Sequence, residues 1–128
     1  MALCGALAVH VADEALTGFL EWYNPTVRAM RKQYPLLLLP TFTFEIWLSL
    51  LIFAIAMLSV SSFFVWKGRW AMRPISYVFA VSMLMNGLLH IAGSLYLREL
   101  MPGVYSSPLL LAASIALIAY TRYHRKRD

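Results

Sequence analysis

Four apolar stretches divide the chain, set apart by short polar, basic or proline-containing segments. The first is apolar from Ala2 to Val9, after which "HVADEALTGFLEW" (10–22) brings ionisable groups into the run. The second, "FTFEIWLSLLIFAIAMLSVSSFFVW" (42–66), has one acidic, basic or histidine residue, Glu45. The third, "ISYVFAVSMLMNGLLHIAGSLYL" (75–97), has one, His90, and the fourth, "SSPLLLAASIALIAY" (106–120), has none. A helix needs about 20 residues to cross the hydrocarbon core of a bilayer. The second and third stretches exceed that length, the fourth is short, and the first is long enough but charged. The pattern predicts an all-α membrane protein: one domain over residues 1–128, a bundle of four transmembrane helices near 2–22, 42–66, 75–97 and 106–122.

The intervening segments fit that outline. Asn24-Pro25 is expected to stop the first helix and open a loop over 24–40, closed by Pro40 ahead of the second. Trp22, Tyr23 and Tyr34 are placed as aromatic anchors at the membrane interface. "VWKGRWAMRP" (65–74) is a basic, tryptophan-flanked turn, and Pro102-Gly103 marks another. Pro108 suits the first turn of the last helix.

Composition agrees: 61% of residues are hydrophobic and 13% charged, about half the charged fraction of a typical soluble domain. A cleaved signal peptide wants a basic start and an uninterrupted apolar centre. Residues 1–20 offer neither, because the first Arg or Lys is Arg28 and acids interrupt the run. Cys4 is the single cysteine, so no disulfide forms within the chain. A net charge of +5 does not point to nucleic acid, since the basic residues flank the apolar stretches. With four spans, Lys67, Arg69, Arg73, Arg122, Arg125, Lys126 and Arg127 share one side, against Arg28, Arg31, Lys32 and Arg98 on the other. That bias predicts both termini in the cytoplasm.

Scarce charge makes its placement informative. Advancing about 100° per residue, a helix gathers His10, Asp13, Glu14, Thr17 and Glu21 into one arc of roughly 100°. One polar stripe on an apolar helix predicts a shared interior, because an ionisable side chain at the bilayer centre costs on the order of 3 kcal/mol. The third stretch offers partners in Asn86 and His90, four apart, with Ser82 and Ser94 continuing the row. Glu14 and Asn86 both lie about 18 Å into their helices. Glu45 enters the outer half on the descending second helix. Convergence of His10, Asp13, Glu14, Glu45, Asn86 and His90 is therefore expected.

"HVADE", then "NGLLH" and "MPGVYSSP", resemble the small membrane family named for its His-x-x-Glu-Glu motif, which carries an Asn-x-x-x-His segment and a Pro-Gly turn downstream. The likeness covers essentially the whole chain. It falls on His10, Asp13, Glu14, Asn86, His90, Pro102 and Gly103. Asp13 stands where the motif has Glu, keeping the charge on a side chain one methylene shorter. The resemblance supplies no mechanism.

The chemistry therefore rests on the residues. Polar glue between helices is a bland reading, but such contacts average about 0.6 kcal/mol, and one Asn or Ser would provide as much. Two imidazoles with several carboxylates match the ligand preferences of a divalent metal, zinc or iron. The leading expectation is a metal-dependent enzyme acting on a lipid or other amphiphile. His10, Glu14 and His90 bind the ion, Asp13 or Glu45 completes the site, and Asn86 orients a ligand or substrate. Glu14, His10, His90 and Asn86 are the candidate catalytic residues. A metal-free acid–base enzyme, such as a lipid isomerase, is the first alternative; a membrane binding protein or carrier for a small molecule is the second. Membrane lipid is the expected partner in each case.

Overall fold

The computed structural model describes residues 1–36, 38–66 and 73–125. Lys67, Arg69, Lys126 and Arg127, used above for orientation, lie outside the described residues. Among the described residues there are five helices: α1 (Ala2–Leu16), α2 (Phe19–Gln33), α3 (Phe44–Trp66), α4 (Arg73–Leu97) and α5 (Ser107–Arg125). The fold is all-helical. Within α3 and α4, the segments Phe44–Phe64 and Pro74–Leu97 are long and apolar enough to cross a membrane. α1 and α2 meet that test only as a pair, bent by 76°.

The bend corrects the expected continuous helix over 2–22. Thr17 ends α1, its N–H and hydroxyl both donating to the Asp13 carbonyl at 2.9 and 2.6 Å. Gly18 then takes φ +74°, a left-handed conformation that costs glycine little. The same residue is the N-cap of α2. Asn24-Pro25, expected to stop a helix, instead lies inside one. Proline withholds one N–H from the Glu21 carbonyl, and the exposed position leaves that carbonyl open to other donors. Glu21 in the first turn and Arg31 and Lys32 in the last complement the dipole of α2.

A segment after α2 is tied back onto it. Asn24 Nδ2 donates to the Phe42 carbonyl at 2.9 Å, and the Phe42 N–H donates to Asn24 Oδ1 at 3.1 Å. Tyr23 donates to the Pro40 carbonyl at 3.1 Å, and Arg31 donates to the Leu39 carbonyl. Thr43 caps α3, its carbonyl accepting from Trp47 N–H at 3.0 Å.

Most of the inward residues of α1 repeat at three and four: Leu3, Ala6, Leu7, His10 and Glu14 are all buried. They face α3 and α5, while α4 and α5 form the most extensive helix pair. Small residues let that pair approach: a Cβ on Gly87 would lie 3.1 Å from Leu111 Cδ2 and 3.3 Å from the Ser107 carbonyl. This contact also fixes depth. Ser107 opens α5 level with Gly87, ten residues before the end of α4, or about 15 Å back along its axis. Residues 98–106 therefore turn into the bundle rather than across its end. The Ser94 hydroxyl accepts from Met101 N–H at 2.9 Å, and the Met101 side chain closes on Gly93. The last apolar stretch is short because its helix starts inside the molecule.

Candidate functional site

The inward turn and the polar face of α1 meet at one buried point. His10, Glu14 and His90 are 0%, 5% and 4% exposed. His90 Nε2 lies 3.0 Å from Glu14 Oε1, and His10 Nε2 lies 3.6 Å from the same oxygen. The two imidazoles meet edge to face, with centroids 4.9 Å apart. Asn86 Nδ2, one turn below His90 on α4, lies 3.1 Å from His10 Nε2. Among the described residues, His10, Glu14 and His90 are the one group of three whose ligand atoms all lie within 4.8 Å of each other. The expected pairing of α1 with α4 through His10, Glu14, Asn86 and His90 is present, carried by side chains.

Two expected members stand elsewhere. Asp13 Oδ2 accepts Ser106 N–H at 2.8 Å and the Ser106 hydroxyl at 2.7 Å. The carboxylate thus satisfies the entry of α5, a role for an acid at a helix N-terminus. Glu45 is exposed on the first turn of α3, away from the cluster. Matched depth brought it into the expectation, but depth does not fix which way a helix faces. Glu21 belongs to α2 beyond the bend and is exposed, and Ser82 is exposed on α4.

Ser106 is the member that spacing did not single out. Its oxygen lies 2.8 Å from His10 Nδ1. A hydroxyl has one proton, and the charge-assisted contact to Asp13 takes it in preference to the Gly103 carbonyl at 3.2 Å. Ser106 Oγ then accepts from His10 Nδ1–H, which sets the tautomer and leaves the Nε2 lone pair facing Asn86 and Glu14. With that tautomer His10 Nε2 accepts from Asn86 Nδ2 at 3.1 Å, and Glu14 Oε1, 3.6 Å from the same nitrogen, has His90 Nε2 at 3.0 Å.

Gly103 closes the site from above with φ +85°. A Cβ there would sit 2.9 Å from Glu14 Cγ and 3.1 Å from Cε1 of both His10 and His90. The absent side chain lets the three pack directly against the Gly103 backbone. His90 Nδ1 and Ser114 Oγ are buried without a hydrogen-bond partner among the described residues. Phe19, the first residue of α2, lies 6.0 Å from the His90 ring and stacks on Trp47 at 5.8 Å.

No curated protein and no solved structure matches the chain. The family model described as "Protein of unknown function with HXXEE motif" matches residues 1–117. His10, Asp13 and Glu14 stand at its namesake motif, with Asp13 at a glutamate position, and the chain belongs to this HXXEE-motif family.

Proposed function

We propose that the chain is an integral membrane protein in which His10, Glu14 and His90 hold a divalent metal, zinc or iron, for a reaction on a lipid or other amphiphile. The observation that carries this reading is the convergence of three ligand atoms within 4.8 Å at a buried point. Tetrahedral zinc with ligands at about 2.0–2.1 Å has ligand atoms about 3.4 Å from one another. The separations of 3.0 and 3.6 Å about Glu14 Oε1 lie on either side of that value. Two histidines and one carboxylate also suit iron with open positions. The Asp13–Ser106–His10 chain supplies the outer support that orients a ligating imidazole. Asn86 faces the same Nε2 and would turn toward a water or substrate atom. Bound there, the metal would activate water or polarise a carbonyl or phosphoryl oxygen.

In this reading four segments enter or cross the bilayer as one domain with both termini cytoplasmic. α1 rises to the bend, α3 descends, α4 ascends and α5 returns. The amphiphile follows from the setting, because a site walled by apolar helices is approached through lipid.

Elemental analysis of detergent-purified protein tests the metal. About one zinc or iron per chain is expected in the wild type and a loss in His10→Ala and Glu14→Gln, the latter keeping side-chain volume while removing the anionic ligand. Absence of stoichiometric metal, with thermal stability unmoved by added zinc or iron, overturns it. The 3.0 Å contact of His90 with Glu14 then favours a metal-free acid–base pair, which Glu14→Gln would inactivate.

A further inference from the structure

A cavity of about 530 Å³ opens at the α1–α2 bend, bounded by Ala15, Gly18, Phe19, α2 and the start of α3. It is of ligand size. Phe42, Phe44 and Trp47 form its apolar wall, and Glu21, Asn24 and Arg28 its polar one. The polar three lie at i, i+3 and i+7 on one face of α2. Their situations differ. Asn24 is engaged with the Phe42 backbone through both its amide nitrogen and its oxygen. Arg31, the next arginine along, is spent on the Leu39 carbonyl. Among the described residues, Arg28 and the Glu21 carboxylate have no ion-pair or hydrogen-bond partner. Glu21 leans over the bend, its Oε2 3.3 Å from where a Gly18 Cβ would be. Arg28 lies two turns along, about 10 Å further on the helix axis. Phe19 lines the cavity on one side and meets the His90 ring on the other.

We propose that this cavity binds the head of a zwitterionic phospholipid, Arg28 taking the phosphate and Glu21 the terminal amine, with Phe19 partitioning it from the buried cluster. A purely anionic head would meet Glu21 and a purely cationic one Arg28; a head carrying both signs satisfies both. The amine end then points toward Phe19 and His90, and the chains leave past the aromatic wall into the bilayer. The proposal rests on the reading that the cluster serves an amphiphile, and names its class.

The test uses the full chain in maltoside micelles with Trp47 as the sole tryptophan (Trp22→Phe, Trp66→Phe, Trp70→Phe). Its emission is titrated with dioctanoyl phosphatidylethanolamine, dioctanoyl phosphatidylglycerol and chainless O-phosphoethanolamine. A saturable change with the ethanolamine lipid is expected. Arg28→Gln should weaken it about tenfold or more, the effect of losing a hydrogen bond to a charged group. Glu21→Gln should weaken the ethanolamine lipid by a similar factor and leave the glycerol lipid equal or tighter. Both side chains are exposed, so the fold is not at risk. Equal binding of the two lipids, insensitivity to both substitutions, or equal affinity for O-phosphoethanolamine overturns the assignment. Metal content separates the two readings: this titration in a metal-free protein sustains the cavity and removes the metal, and a metal-bearing protein without it does the reverse.

Discussion

Gly103 shows how much one residue type can fix. Its backbone lies in the left-handed region, and its missing Cβ makes room for Glu14 and both imidazoles. Gly103→Ala should lower stability by about 2–4 kcal/mol, combining left-handed strain with overpacking. Gly5→Ala, where nothing lies within 4 Å, should be neutral or slightly stabilising as a helix-interior change. Thermal unfolding midpoints of the detergent-solubilised variants compare the two. Ser106→Ala removes the hydroxyl between Asp13 and His10, at an expected cost of about 1–3 kcal/mol. Its distinguishing readout is ¹⁵N-histidine NMR, where the His10 Nδ1–H form should lose its dominance; Ser106→Thr, keeping the hydroxyl, should restore it. Of this site, His10, Glu14, Asn86 and His90 were legible in the sequence because intramembrane charge is costly and helical spacing shows which charges share a face. Ser106 was not, since a serine just ahead of a helix start is ordinary. Only the inward course of residues 98–106 gives it this role.

At the scale of elements, α3, α4 and α5 have close to the expected helix bounds, because long apolar runs admit few alternatives, but of the three only α3 and α4 are long and apolar enough to cross a membrane. The first element divides in two. Thr17-Gly18 is a helix-ending signal, masked by the apolar residues that resume at Phe19. Asn24-Pro25 pointed to a break that does not occur. The Asn24 side chain joins α2 to the segment before α3, and Asn24→Ala should release it. Hydrogen exchange at the Phe42 amide, which donates to Asn24 Oδ1, should then accelerate markedly, with a stability loss of about 1–3 kcal/mol. Exchange unchanged at Phe42 would show that Tyr23 and Arg31 hold the segment alone.

For the whole molecule, the proposed arrangement puts Glu99 and Tyr123 on opposite sides. On a Cys4→Ser background, Glu99→Cys should react with an impermeant maleimide from outside intact cells, and Tyr123→Cys only after lysis; the reverse pattern inverts the protein. The flanks of the bundle are also unequal. α3 and α4, of 23 and 25 residues, are about 35–38 Å long, whereas α1, of 15, is about 22 Å. In the proposed arrangement, a bilayer about 30 Å thick in its hydrocarbon is fully spanned on one side and overhangs the other. Such mismatch is met by tilt or by local thinning, at fractions of a kcal/mol per Å. In the proposed arrangement, thinning on the α1 flank would lower the outer headgroups toward the bend and bring the lipid surface to the buried histidines. Stability should therefore rise in bilayers of shorter-chain phosphatidylcholine relative to longer ones.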